Sequence, residues 1–183
     1  MAHSIELLLD DATDTWVRTQ WQLLSDADLP SQGRIAADSN RPHITLVAAE
    51  HLHPAIDSGI AELSTSLPLP LVFDGLLTFG DQRKTLAINV SREAPLDRLQ
   101  AATLAAARPW ITAVVDHVES ESWTPHVTLA RRLTDDQLDR AAELIGTPPS
   151  ATAVRLRRWD GDTKTEKLFD TERRPPIRTI RGL

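Results

Sequence analysis

Pro42-His43-Ile44-Thr45-Leu46 and Pro125-His126-Val127-Thr128-Leu129 are nearly the same pentapeptide, set 83 residues apart in one chain. Each is followed by the same succession of patterns: a helical stretch, a strand, a turn and another strand. The last strands of the two series even open alike, with Lys84-Thr85 and Lys164-Thr165. A repeat of this kind predicts two related structural units facing each other about an approximate two-fold axis. The expected class is α+β: two pseudo-symmetric lobes, each a small, mostly antiparallel sheet with helices on its outer face, around a central cleft. Residues 1–183 then form a single bilobal domain, with duplicated units at roughly 42–91 and 125–171 and a basic tail at 173–183.

The flanks of the repeats support this plan. Ser4–Leu9 reads as a strand, and Asp11–Ser25 as a helix whose Asp10, Asp11 and Asp14 suit the positive end of its dipole. Val17, Trp21 and Leu24 give that helix one apolar face. Residues 26–42 are punctuated by Pro30, Gly33 and Pro42 and read as irregular. After His43–Ala49, a short β-branched strand, Pro54 opens a helical pattern in which Ile56, Ile60, Leu63 and Leu67 recur on one side. Leu71–Phe79 and Thr85–Val90 predict a hairpin around Gly80-Asp81-Gln82, and Pro95–Ala107 an Ala-rich helix. In the second series, strand His126–Leu129 precedes a capping box, Thr134 to Gln137, with Leu138, Ala141, Ala142 and Ile145 as its helix's apolar stripe and Gly146 as its stop. Strands near Ala153–Trp159 and Lys164–Phe169 flank Asp160-Gly161-Asp162.

Composition narrows the function. The chain of 183 residues carries 20 Lys+Arg against 26 Asp+Glu, a formal charge of -6, so it lacks the basic surface that grips long nucleic acid. A short or terminal nucleotide is still accommodated. Residues 151–183 hold nine Lys+Arg and five acids, which makes the C-terminal part the expected side for an anion. The absence of cysteine removes disulfides, thiolate nucleophiles and thiolate zinc sites. The first ten residues lack a basic region, and their apolar run is interrupted by Glu6, so neither a signal peptide nor a membrane anchor is expected. The expectation is a soluble, cytoplasmic, monomeric protein with no obligate protein partner.

Residues i and i+2 of a strand share a face, so His43 and Thr45 look one way while Ile44 and Leu46 look the other; His126 and Thr128 repeat the arrangement. Two imidazoles and two hydroxyls suit in-line displacement at a phosphodiester. One proton must leave the attacking oxygen and another must reach the leaving oxygen on the far side of phosphorus. An imidazole from each lobe meets that demand, because an ordinary pKa of about 6.5 lets one ring be neutral and the other charged near pH 7. Thr45 and Thr128 supply hydrogen bonds to non-bridging oxygens, and Arg131 is the natural charge partner. On a regular strand Arg131 faces away from His126, so this role requires a bulge or the strand's end. Neither a metal nor another cofactor is implied.

Two His-x-Thr motifs, each followed by Leu, in a chain of this length and plan resemble the two-histidine (2H) phosphoesterases, most closely the bacterial 2'-5' RNA ligase-like, RNA 2',3'-cyclic phosphodiesterase branch. The resemblance covers roughly residues 4–170. It implies a metal-independent enzyme that opens 2',3'-cyclic phosphates at RNA or nucleotide ends to a 2'-phosphate, with weak reverse 2'-5' ligation. It also implies that His126 activates water and His43 protonates the leaving 3' oxygen. Arg131 matches the family's habit of following its second motif with Arg, whereas the first motif has Ala48 at the equivalent place. Family members stack a base on an aromatic side chain, for which Phe79 and Trp123 lie near the right elements.

Two other readings compete: a nucleotide- or RNA-binding module using the same cleft without turnover, and a small-nucleotide cyclic phosphodiesterase acting on ADP-ribose cyclic phosphate. Outside the motifs the expectations are plain. His51 and His53 read as solvated residues at the start of a helix rather than metal ligands, and His3 and His117 as exposed. Trp16, Trp21, Trp110 and Trp159 read as packing residues. Arg155, Arg157, Arg158, Arg173, Arg174, Arg178 and Arg181 read as a solvated basic face.

Overall fold

The computed structural model describes residues 3–114 and 121–170. Its larger sheet contains β1 (His3–Leu9), β2 (His43–Leu52), β3 (Leu69–Leu71), β6 (Ile111–Val114), β8 (Ala151–Asp160) and β9 (Thr165–Phe169). The order is β3-β8-β1-β2-β6, with β9 paired to β8. The smaller sheet is β4 (Phe73–Phe79), β5 (Lys84–Val90) and β7 (His126–Leu133), in the order β4-β5-β7. Every pairing in both sheets is antiparallel.

Among the described residues, four α-helices cover the sheets: α1 (Asp11–Asp26), α2 (Asp57–Leu63), α3 (Ala94–Ala107) and α4 (Asp135–Leu144). α3 packs on β2 and β3 and meets α2, while α1 and α4 meet each other and lie on β7. The helix starts follow the sequence signals. Asp10 caps α1 by accepting from the Thr13 amide, and Thr134 with Gln137 forms the capping box of α4. Among the described residues, no helix is long and apolar enough to cross a membrane.

The two sequence repeats do not each build a separate sheet. The first motif's strand, β2, lies in the larger sheet, but the hairpin that follows it, β4–β5, lies in the smaller one. The second motif reverses this: β7 is in the smaller sheet and the β8–β9 hairpin in the larger. The hairpin that follows each motif thus joins the other motif's sheet, and in strand order β8-β1-β2 matches β4-β5-β7, so that β5 stands beside the second motif strand as β1 stands beside the first. Two local readings also change. The stretch Leu71–Phe79 is two strands in different sheets, broken at Val72, because β3 pairs with β8 and β4 with β5. In α4 only Ala141 is fully buried, with Leu138 and Ile145 half-buried and Ala142 exposed. The basic tail from Arg173 lies outside the described residues.

Candidate active site

The two His-x-Thr strands run beside each other where the sheets meet. Their burial alternates identically: His43 and Thr45 are half-buried between fully buried Ile44 and Leu46, and His126 and Thr128 between Val127 and Leu129. Two tryptophans fix the backbones reciprocally. The Trp21 indole donates to the Thr128 carbonyl at 3.0 Å, and the Trp123 indole to the Thr45 carbonyl at 2.9 Å. Each strand also bulges at the same place. Ile5 and Glu6 oppose Val47 and Thr45, leaving Leu46 as the extra residue, while Leu86 and Ala87 oppose Ala130 and Thr128, leaving Leu129. An extra residue inverts the alternation beyond it. Ala130 then turns into the core and Arg131 onto the face of His126, which supplies the bulge the sequence reading required. A second irregularity follows at once, with Arg132 at φ 64.

Both imidazoles are oriented the same way. His43 Nδ1 lies 2.6 Å from the carbonyl oxygen of Arg41, and His126 Nδ1 lies 2.8 Å from that of Thr124. A carbonyl only accepts, so each Nδ1 carries hydrogen and each Nε2 is left for chemistry. Burial lowers the pKa of His126, and the positive charges of Arg131 and His43 lower it further, against an opposing effect of the Thr124 hydrogen bond. The three groups thus share one electrostatic environment. Phe79 packs its ring 4.7 Å from that of His126.

The surroundings of the two histidines differ. Glu6, opposite Thr45 in the β1–β2 ladder, places Oε1 3.6 Å from His43 Nε2; Ala87 holds the equivalent position opposite Thr128. Glu6 is buried, and Ser4 Oγ donates to it at 2.6 Å while Arg157 grips its other oxygen through Nε at 2.7 Å and through a second guanidinium nitrogen. Burial opposes its ionisation, but the charges of His43 and Arg157 and these hydrogen bonds outweigh it and hold its pKa below the ordinary carboxylate value. Arg157 also donates to Glu166 at 2.9 Å and to the Ser39 carbonyl at 2.7 Å. A cavity of about 750 Å³ opens here, with Arg41, His43, Trp159, Lys164 and Glu166 among its lining residues. Sequence reasoning missed Glu6 and Arg157. The available signal was an acid between Ile5 and Leu7 in a run that is otherwise apolar as far as Leu9.

Several other expectations are corrected. His3 is buried, not exposed, at 1% accessibility. His117 lies outside the described residues. Arg157 is a buried ion-pair partner, and Arg158 pairs with Asp57 and Arg155 with Asp170, so this part of the basic cluster is not a bare solvated face. Trp123 is buried and engaged with Thr45, whereas Phe79 packs against the His126 ring. Trp159 is half-buried against the cavity, where Arg157 lies 5.9 Å from its ring centroid.

Residues 11–164 match the model of the 2'-5' RNA ligase superfamily, a span that contains both His-x-Thr strands. No curated protein sequence matches the chain. Among solved structures, Usb1 from Kluyveromyces marxianus superposes with a TM-score of 0.54 at 13% identity, covering 92% of this chain and 97% of that one. The LigT protein of E. coli, solved with 3'-AMP, gives a TM-score of 0.48 at 13% identity, covering 92% of each chain. The Usb1 likeness shows the shared fold. From the matched span and the α+β architecture, the chain belongs to the 2'-5' RNA ligase superfamily, the two-histidine phosphoesterases.

Proposed function

We propose that this protein opens 2',3'-cyclic phosphates at RNA or nucleotide ends by metal-independent acid/base catalysis, leaving a 2'-phosphate. The observation that carries the reading is the matched pair of imidazoles. Each fixes Nδ1 on the carbonyl two residues before it and frees Nε2, and the charge on one acts on the other. Burial and neighbouring cations favour neutral His126, the form a general base needs. His43 has the Glu6 carboxylate beside its Nε2, the ion-pair partner of an imidazolium that acts as general acid.

In the proposed step, water attacks phosphorus and gives its proton to His126 Nε2. The bond from phosphorus to the 3' oxygen breaks as His43 Nε2 protonates that oxygen. Thr45 and Thr128 donate to the non-bridging oxygens, and Arg131 offsets the charge developing on them. Weak 2'-5' ligation is the same displacement with a 5'-hydroxyl in place of water: that oxygen bonds to phosphorus and gives its proton to His126 Nε2, while the 3' oxygen leaves with a proton from His43 Nε2. The test is a panel of 2',3'-cyclic mononucleotides, cyclic-phosphate-ended oligoribonucleotides and ADP-ribose cyclic phosphate, assayed with chelator present. The expected result is sustained hydrolysis of the 2',3'-cyclic substrates to 2'-phosphates. Binding without turnover of any substrate, or exclusive turnover of ADP-ribose cyclic phosphate, overturns the proposal.

A further inference from the structure

At the far end of the larger sheet, three side chains from separate elements converge: His3 at the start of β1, His51 near the end of β2, and Asp162 in the β8–β9 turn. Their donor atoms all lie within 4.8 Å of one another. His51 is eight residues along β2 from His43, about 25 Å at strand rise, so this cluster is separate from the two-histidine site. We propose that His3, His51 and Asp162 form a structural site for a divalent transition metal, with Zn²⁺ the best chemical match, that ties the β8–β9 turn to β1 and β2.

Three observations support the assignment. First, the donor set of two imidazoles and one carboxylate suits zinc and its neighbours better than magnesium or calcium, which take oxygen ligands. Second, one donor pair already stands at the spacing zinc requires, and the His51 donor lies within 4.8 Å of both, so binding draws it in. Tetrahedral zinc with bonds of about 2.0–2.1 Å puts neighbouring ligand atoms about 3.3 Å apart. His3 Nε2 and Asp162 Oδ2 are 3.2 Å apart, and the His51 ring meets the His3 ring edgewise with centroids 5.1 Å apart.

Third, His3 is buried, yet its Nδ1 has no hydrogen-bond partner, an arrangement that costs stability. Asp160 Oδ1 lies 3.7 Å from that Nδ1, just beyond bonding distance. A metal on Nε2 fixes hydrogen on Nδ1, and a small shift then lets it donate to Asp160. This is the carboxylate–histidine–metal arrangement that orients metal-bound imidazoles. His53 takes no part, since its Nδ1 accepts from the Ala55 amide at 3.1 Å and its ring stacks on Trp110.

The experiment uses the untagged full chain, stripped with chelator and titrated with ZnCl₂ by calorimetry and thermal melting. One Zn²⁺ per chain is expected, with a rise in Tm. His51 and Asp162 are exposed, so His51→Ala and Asp162→Asn leave the core intact; each is expected to weaken binding by at least about tenfold. His53→Ala is expected to bind zinc like the parent. Absence of stoichiometric zinc binding overturns the proposal. So does zinc binding that survives His51→Ala unchanged, or that is lost in a His43→Ala, His126→Ala double variant. None of these readouts depends on phosphodiester turnover.

Discussion

Partial burial of His126 and the positive charges of Arg131 and His43 each make its protonation harder. If it serves as the base, the acidic limb of the kcat/KM pH profile falls below the ordinary imidazole value, because turnover is lost only once His126 takes up a proton. Arg131→Gln removes one of the opposing charges, so the limb moves toward higher pH. Turnover also falls, by about 10²-fold, through loss of a donor to the phosphate. A pH series on the parent and this variant checks both effects. His43→Ala and His126→Ala each remove one proton transfer, at a cost of about 10²- to 10⁴-fold in kcat, and leave Tm near that of the parent because both rings are only half-buried. The histidines and threonines were legible because a duplicated pentapeptide fixes their shared face by alternation alone. Glu6 was not, because only the folded partner, Arg157, explains a carboxylate in that strand.

The paired bulges at Leu46 and Leu129 and the tryptophan bonds to Thr45 and Thr128 determine how the two motif strands present their polar face. Trp123→Phe keeps most of the packing but leaves the Thr45 carbonyl without its donor, for an expected loss of about 1–3 kcal/mol in chemical denaturation. Gly80 is a second sensitive point. It holds φ at +86, and an added Cβ meets the Arg83 carbonyl oxygen at 2.7 Å, so Gly80→Ala strains the turn that positions Phe79 beside His126. A lower Tm for Gly80→Ala is the expected readout. Most elements could be read from periodicity and capping residues. The four-residue β6 could not, since Ile111–Val114 is too short to show a period. Nor could the break at Val72, where neighbouring apolar residues go to different sheets.

For the whole molecule, the exchange of hairpins between sheets was hidden for a physical reason. Alternation shows that a segment is extended, but not which distant strand satisfies its backbone. The buried Glu6–Arg157 pair joins β1 to β8, the strand that the second unit contributes to the first motif's sheet. Arg157→Leu strands a buried carboxylate and is expected to cost about 3–5 kcal/mol at neutral pH, read by urea denaturation. Because the Glu6 pKa is lowered in the folded state, its contribution is complete above its ordinary value of 4.5 and is lost as pH falls through the lowered one. The difference between parent and Arg157→Leu therefore narrows in acid. The central claim is that the two units deliver their imidazoles to one phosphorus. A crystal structure with uridine 2'-monophosphate, the expected type of product, tests it most directly. The account predicts a single phosphate held between His43 Nε2 and His126 Nε2, one on each side; a phosphate that touches only one of these rings, or binds elsewhere on the protein, contradicts it.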